Sequence, residues 1–205
     1  VGLVIAPVFS IICELIAITA VGAFGVSFLA RDPIFATELN QIAENLLANP
    51  DLPLENIIEP FEPYLLHPVI IGASFTIVAV LVPIIEELFK PIGVWLLVRR
   101  NPSPSQGFVA GVISGTGFAL FENFLLSPSP GEDWGLVVLA RIGTTFIHAL
   151  TAGLTGWALT TSWQDTRYFR LGISYQLARA IHALWNGLAV MAVIPELLPE
   201  GSGYP

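Results

Sequence analysis

The sequence predicts an all-α protein: a polytopic membrane helix bundle of about five transmembrane helices with an extracytoplasmic amphipathic helical loop. Three observations carry this prediction. First, the 205-residue chain is 54% hydrophobic and only 12% charged, about half the charge fraction of a soluble domain, and its mean hydropathy is +0.74. Second, five stretches reach the length of about 20 apolar residues that a hydrocarbon core roughly 30 Å thick requires. Third, the connections between these stretches alternate in charge.

The spans read, in order, Val1–Leu29, Val69–Val98, Gly107–Leu126, Trp134–Thr160 and Leu171–Ile194, and form one membrane domain over residues 1–205. The first begins on Val1 in mid-run, which predicts residues upstream. It lacks the basic flank of a cleaved signal peptide. Cys13, the single cysteine, excludes a disulfide within the chain. Connections 99–106 and 161–170 carry Arg99, Arg100, Arg167 and Arg170. By contrast, 31–68 has one arginine against seven acids, and 127–133 has two acids and no base. Basic loops face the cytoplasm, so the start of the chain is expected there and its end outside. No repeat stands out, and the absence of a basic patch excludes nucleic acid as a partner.

Within the acidic connection, Asp32 followed by Pro33 predicts a helix start. Phe35, Leu39, Ile42 and Leu46 then recur at helical spacing up to Asn49-Pro50. A second short amphipathic piece is expected at 54–61. This loop reads as a cap on the bundle or as a substrate gate.

The spans hold ionisable groups that cost about 2.5–3.5 kcal/mol each to insert: Glu14, Glu86, Glu87, Lys90, Glu122, Arg141, His148, Arg179 and His182. Glu86, His148 and His182 fall near mid-membrane by their distance from the span ends, with Glu122 shallower. Helical spacing groups them on coherent faces. Gly107, Gly111 and Gly115 make a small-residue ridge whose stripe continues to Phe118 and Glu122. Arg141, Thr145 and His148 share one face, and Arg179, His182 and Asn186 another. Glu86 and Lys90 form an i,i+4 acid–base pair. Taken singly, each has a plain reading as an intramembrane ion pair or an interhelical hydrogen bonder. Taken together on four helices, they predict one shared pocket.

Two imidazoles with carboxylates from other helices suit Zn²⁺ or a similar divalent ion, which takes His nitrogen and Glu oxygen and keeps a position for water. Glu86, Glu122, His148 and His182 are the candidate ligands. Glu86 or Glu87 is the candidate proton acceptor, and Arg179 and Asn186 are candidate donors to an oxyanion. A metal-free version has Glu86 activate water directly. A proton-coupled transporter built on the same Glu/His/Arg relay and a noncatalytic membrane scaffold are the rivals from other classes.

The residues also carry a resemblance. Glu86-Glu87-Leu-Phe-Lys90 matches EExxK, Phe118-Ala-Leu-Phe-Glu122 matches FxxxE, His148 follows on the next span, and His182-Ala-Leu-Trp-Asn186 supplies a last HxxxN. In order and spacing these motifs, over Pro83–Gly187, resemble the PrsW family of intramembrane proteases, related to the CAAX prenyl proteases and bacteriocin-processing enzymes. A family HxxxD is not matched: Ala152 stands four residues after His148 and Asn186 four after His182. The resemblance implies a prokaryotic plasma membrane protein that cleaves membrane-anchored proteins, anti-sigma factors being one substrate class. It makes Glu86 the catalytic glutamate or a ligand, with Glu122, His148 and His182 completing the site.

Overall fold

The computed structural model describes residues 2–49, 53, 56, 59–64, 66–126 and 134–193. These residues contain helices and turns and no strand. Helix α1 is Gly2–Leu29 and α2 Pro33–Ala48, with a 3₁₀ turn at Glu59–Tyr64. The second span is broken into α3 (Pro68–Phe75), a π-helical segment (Thr76–Leu81), α4 (Val82–Phe89) and α5 (Ile92–Val98). Long helices α6 (Pro104–Leu126), α7 (Trp134–Asp165) and α8 (Tyr168–Val193) complete the chain. Among the described residues four segments are long and apolar enough to cross a membrane: Val4–Leu29, Pro68–Val98, Pro104–Leu125 and Val137–Asp165. The fifth predicted span, α8, has 26 residues, enough for about 39 Å of helix, but includes Arg170, Arg179 and His182. The acidic connection 127–133 and half of the expected 54–61 helix (54, 55, 57 and 58) lie outside the described residues.

Local sequence explains the helix starts. The Asp32 carboxylate accepts from the Ile34 amide at 2.8 Å, with Pro33 in the first turn, where a missing N–H costs nothing. His67 caps α3 through the Val69 amide at 3.2 Å. At α6, Ser103 and Gln106 cap reciprocally: Gln106 Oε1 accepts from the Ser103 amide at 2.8 Å, and Ser103 Oγ from the Gln106 amide at 3.3 Å. This is a capping box followed by proline. Phe35, the buried residue of α2, meets Tyr64 edge-on at 4.7 Å, so the amphipathic helix folds onto the following turn.

The packing inverts that of a soluble protein. Phe24, Phe124, Phe146 and Leu184 are exposed, whereas Ser10, Glu86, Glu87, Lys90, Ser114, His148, Thr151 and His182 are buried. Such a surface belongs in lipid. The spans pack as a ring: α1 on α6, α6 on α7, α7 on α8, and α8 on the second span, which returns to α1. The tightest contact is α6 on α7, along the glycine ridge. A Cβ on Gly111 would overlap the Ala152 carbonyl, and one on Gly115 the His148 carbonyl. Glycine is required here for backbone approach, not for an unusual φ.

At the end of the bundle bearing Arg99 and Arg100, α5 bends inward after Pro91 and packs on both α6 and α7. Val94 and Val98 pack with Leu159 and fill the ring there. A cavity of about 740 Å³ remains, with walls from α1, the π segment and α4, α6, α7 and α8.

Candidate metal centre

Two prolines shape the segment that carries the acids. In the π segment the Val82 amide bonds back five residues to the Ile77 carbonyl. The next donor in that register would be residue 83, but Pro83 has no N–H. The Val78 carbonyl thus left over accepts from the Asn186 side-chain amide of α8 at 3.0 Å. At the second break, Ser114 of α6 donates to the Lys90 carbonyl at 2.7 Å. Glu86, Glu87 and Lys90 sit between these breaks, on a short helix pinned from both sides.

Glu87 is fully buried, and its Oε1 gathers three donors. Lys90 Nζ lies at 2.6 Å, His182 Nδ1 at 2.9 Å and Thr151 Oγ1 at 3.0 Å. An ionised Glu87 draws the His182 proton to Nδ1, which leaves the Nε2 lone pair free. Lys90 Nζ also approaches His182 Nδ1 at 3.3 Å; with both groups protonated this is a contact and not a bond.

Glu86, its neighbour, lines the cavity. Its Oε2 is 3.8 Å from His182 Nε2 and 3.7 Å from His148 Nδ1. Lys90 Nζ is 3.2 Å from the same oxygen, but off the hydrogen-bonding direction. The other edge of His148, Nε2, lies 3.3 Å from Glu122 Oε2. Oε1 of Glu122 is 3.9 Å from Arg141. The two imidazoles are 4.9 Å apart between ring centres, and Phe118 covers His148 at 5.6 Å.

The donor atoms of Glu86, His148 and His182 all lie within 4.8 Å of one another, and all three residues are buried. Neither nitrogen of His148, nor Oε2 of Glu86 or Glu122, has a hydrogen-bond partner among the described residues. Such atoms are costly unless something else engages them. Donors on one tetrahedral zinc, at about 2.0–2.2 Å, stand about 3.4 Å apart. The separations of 3.7 and 3.8 Å from Glu86 Oε2 need a small contraction, and the two imidazole donors, within 4.8 Å, can close on the same point; the donor set fits a divalent ion.

The structure thus brings together Glu86, Glu87, Lys90, Glu122, His148 and His182 from four spans. Glu122 stands beside the three-residue group and not within it. Asn186 lines the cavity and holds the Val78 carbonyl. Arg179 is half-buried and is absent from the cavity wall; the basic partner of Glu122 is Arg141. Sequence reasoning left three contributors aside. Thr151 and Ser114 are ordinary helix residues by pattern. Glu14, the only charge on α1, reaches the same cavity wall; its place among apolar neighbours was the available signal.

Residues 15–199 match the PrsW family intramembrane metalloprotease. No curated protein and no solved structure matches the chain. With the match running over nearly the whole sequence and a Glu/His/His group inside a membrane bundle, the chain belongs to the PrsW family of intramembrane metalloproteases.

Proposed function

We propose that this protein hydrolyses peptide bonds in the membrane-embedded segments of membrane-anchored proteins, at a centre formed by Glu86, His148 and His182. The observation that carries the reading is the convergence of these three side chains, buried and within 4.8 Å, with Glu86 on the wall of a cavity large enough for a peptide segment and the two histidines behind it. Glu86 Oε2, His148 Nδ1 and His182 Nε2 would hold a divalent cation, zinc by donor type. When bound, that cation supplies a water acidified to a pKa of about 7 and polarisation of the scissile carbonyl.

The remaining roles belong to the chain. Glu87 fixes the His182 tautomer, with Lys90 and Thr151 holding Glu87 in place. Glu122 Oε2 stands 3.3 Å from His148 Nε2 and would take its N–H once Nδ1 holds the ion. Its second oxygen, beside Arg141, accepts the proton of the attacking water and returns it to the leaving amine. Asn186 spends one amide hydrogen on the Val78 carbonyl and has a second for the carbonyl oxygen of the substrate. Arg179, away from the wall, is given no part in the reaction. By the positive-inside rule the Arg99–Arg100 and Arg167–Arg170 ends lie in the cytoplasm, which puts the cavity in the extracytoplasmic half of the bilayer.

One contact favours a metal-free glutamate mechanism instead: Lys90 Nζ at 3.2 Å from the very oxygen that would bind the ion. A single experiment separates the two. Detergent-purified protein is stripped with a chelator and assayed for cleavage of a membrane-anchored reporter, with metal content measured in parallel. The proposal expects one zinc-class ion per chain, loss of cleavage on stripping and recovery on zinc addition. It also expects loss of both metal and cleavage in Glu86→Gln and His182→Ala. Full activity without metal would leave the metal-free mechanism standing, and activity in both variants would refute the site.

A further inference from the structure

Helix α1 carries a single charged residue, Glu14, and residue 14 lies just outside the region that matches the family. Ala6, Ser10 and Glu14 fall on one stripe at i,i+4 spacing, with Ala6 and Ser10 fully buried. The Ser10 hydroxyl donates to Glu14 Oε1 at 2.6 Å, which fixes the carboxylate while Glu14 lines the cavity. Three carboxylates stand on that wall. Glu86 faces both imidazoles and Lys90, and Glu122 faces His148 and Arg141. Among the described residues Glu14 takes its hydrogen bond from the serine through Oε1, which leaves Oε2 as an acceptor on the same cavity wall as Glu86 and Glu122. An unpaired acceptor in a membrane interior is costly to keep, and most of the wall around it is apolar: Ile11, Ile77, Val82 and Phe121.

A substrate segment in this cavity brings the complementary need. A peptide bond is protected in a helix, so the segment must be drawn out of helical form to be cut. Its main-chain N–H groups then face hydrocarbon without partners. Resting on the protease reading above, we propose that Glu14 is a substrate-binding residue that accepts a main-chain N–H of the unwound segment next to the bond being cut. Ser10 positions it through Oε1. This is binding that ground state and transition state share, so it governs KM and leaves kcat alone.

The test uses the full chain in dodecylmaltoside micelles. The probe is a fluorescence-quenched peptide of about 20 apolar residues with a central Gly-Ser pair, and a series in which each central amide in turn is replaced by an ester. Glu14→Ala should raise KM about tenfold, the size expected for one lost hydrogen bond to a charged group, with kcat within twofold. Glu14→Gln, which keeps an acceptor, should recover most of that loss. One ester position should raise KM for the unmodified enzyme and have no further effect in Glu14→Ala. A fall in kcat at unchanged KM, or ester penalties identical in both proteins, overturns the assignment while leaving the protease reading intact. Absence of cleavage of every peptide by unmodified, zinc-supplemented enzyme overturns the protease reading and this proposal with it.

Discussion

Replacing Asn186 with alanine removes the donor that Pro83 makes necessary. The Val78 carbonyl accepts from Asn186 Nδ2 at 3.0 Å because the π register hands it to a residue with no N–H. An orphaned carbonyl costs about 1–3 kcal/mol, while interhelical hydrogen bonds in membranes average about 0.6 and reach about 1.7 kcal/mol. Val78 is half-buried at the cavity edge, where water can partly replace the donor, so Asn186→Ala should cost about 1 kcal/mol. Pro83→Ala restores an N–H to that register. In that background Asn186→Ala should cost almost nothing, a coupling above the roughly 0.3–0.5 kcal/mol within which independent sites add. The assay is unfolding in mixed dodecylmaltoside–dodecyl sulfate micelles, followed by the fluorescence of the five tryptophans. Strict additivity of the two substitutions would refute the reasoning. The same four proteins also separate two roles for Asn186: if it donates to the substrate carbonyl, Asn186→Ala loses activity even where Pro83→Ala has made it dispensable for stability.

Three further outcomes follow from the geometry. Glu87→Gln weakens the anchor of His182 and leaves the buried Lys90 charge with a poorer partner, so zinc affinity should fall about 10–100-fold in competition with a chromogenic chelator; unchanged affinity would exclude the assigned role. Gly115→Val drives a side chain into the backbone of His148 and into Ala152 and should cost about 1–3 kcal/mol together with most of the cleavage activity. Gly72→Val, in open space, should be near neutral, and equal effects would contradict the packing described. In a Cys13→Ser background, Ser105→Cys should react with an impermeant maleimide only from the cytoplasmic side and Glu44→Cys only from the outside; the reverse pattern would invert the orientation.

Much of this was legible in the sequence, because membrane helices announce themselves by length and composition. The five expected spans coincide with the helices α1, the Pro68–Val98 run, α6, α7 and α8, the first four of them long and apolar enough to cross a membrane, and the Asp32–Pro33 start of α2 is where its motif puts it. The convergence of Glu86, His148 and His182 follows from depth and face, both of which periodicity encodes. What stayed hidden depends on rotation and on breaks. Pro83 and Pro91 are visible as prolines, but a π segment that turns Glu86 towards the cavity and Glu87 towards His182 is a tertiary outcome. Arg141 and Arg179 are equivalent by pattern as partners for Glu122, and only the packing of α7 against α6 selects Arg141. Ser114 and Thr151 matter through interhelical hydrogen bonds that no single helix displays.

The selection of Arg141 over Arg179 also changes the charge arithmetic of the site. Four carboxylates belong to it: Glu14, Glu86 and Glu122 on the cavity wall and Glu87 behind it. Among the described residues two cations answer them, Lys90 between Glu86 and Glu87 and Arg141 beside Glu122. With every carboxylate ionised the balance is minus two, the charge of one divalent ion. Had Arg179 also turned inward, the deficit would have been one, and a divalent ion would have left a net positive charge in low dielectric. Uncompensated charge is what a membrane interior tolerates least, and a dication is the partner that would neutralise this deficit. The same arithmetic gives Lys90 its place: beside Glu86 and Glu87 it limits their mutual repulsion and keeps Glu87 ionised as the anchor of His182. Lys90→Gln should therefore weaken cleavage while increasing the number of protons released when zinc binds, because carboxyl groups left protonated without the lysine must ionise to accept the metal. Calorimetric titration with zinc in buffers of different ionisation enthalpy measures that release directly, and an unchanged proton count would show that the lysine has no part in holding the acids ionised.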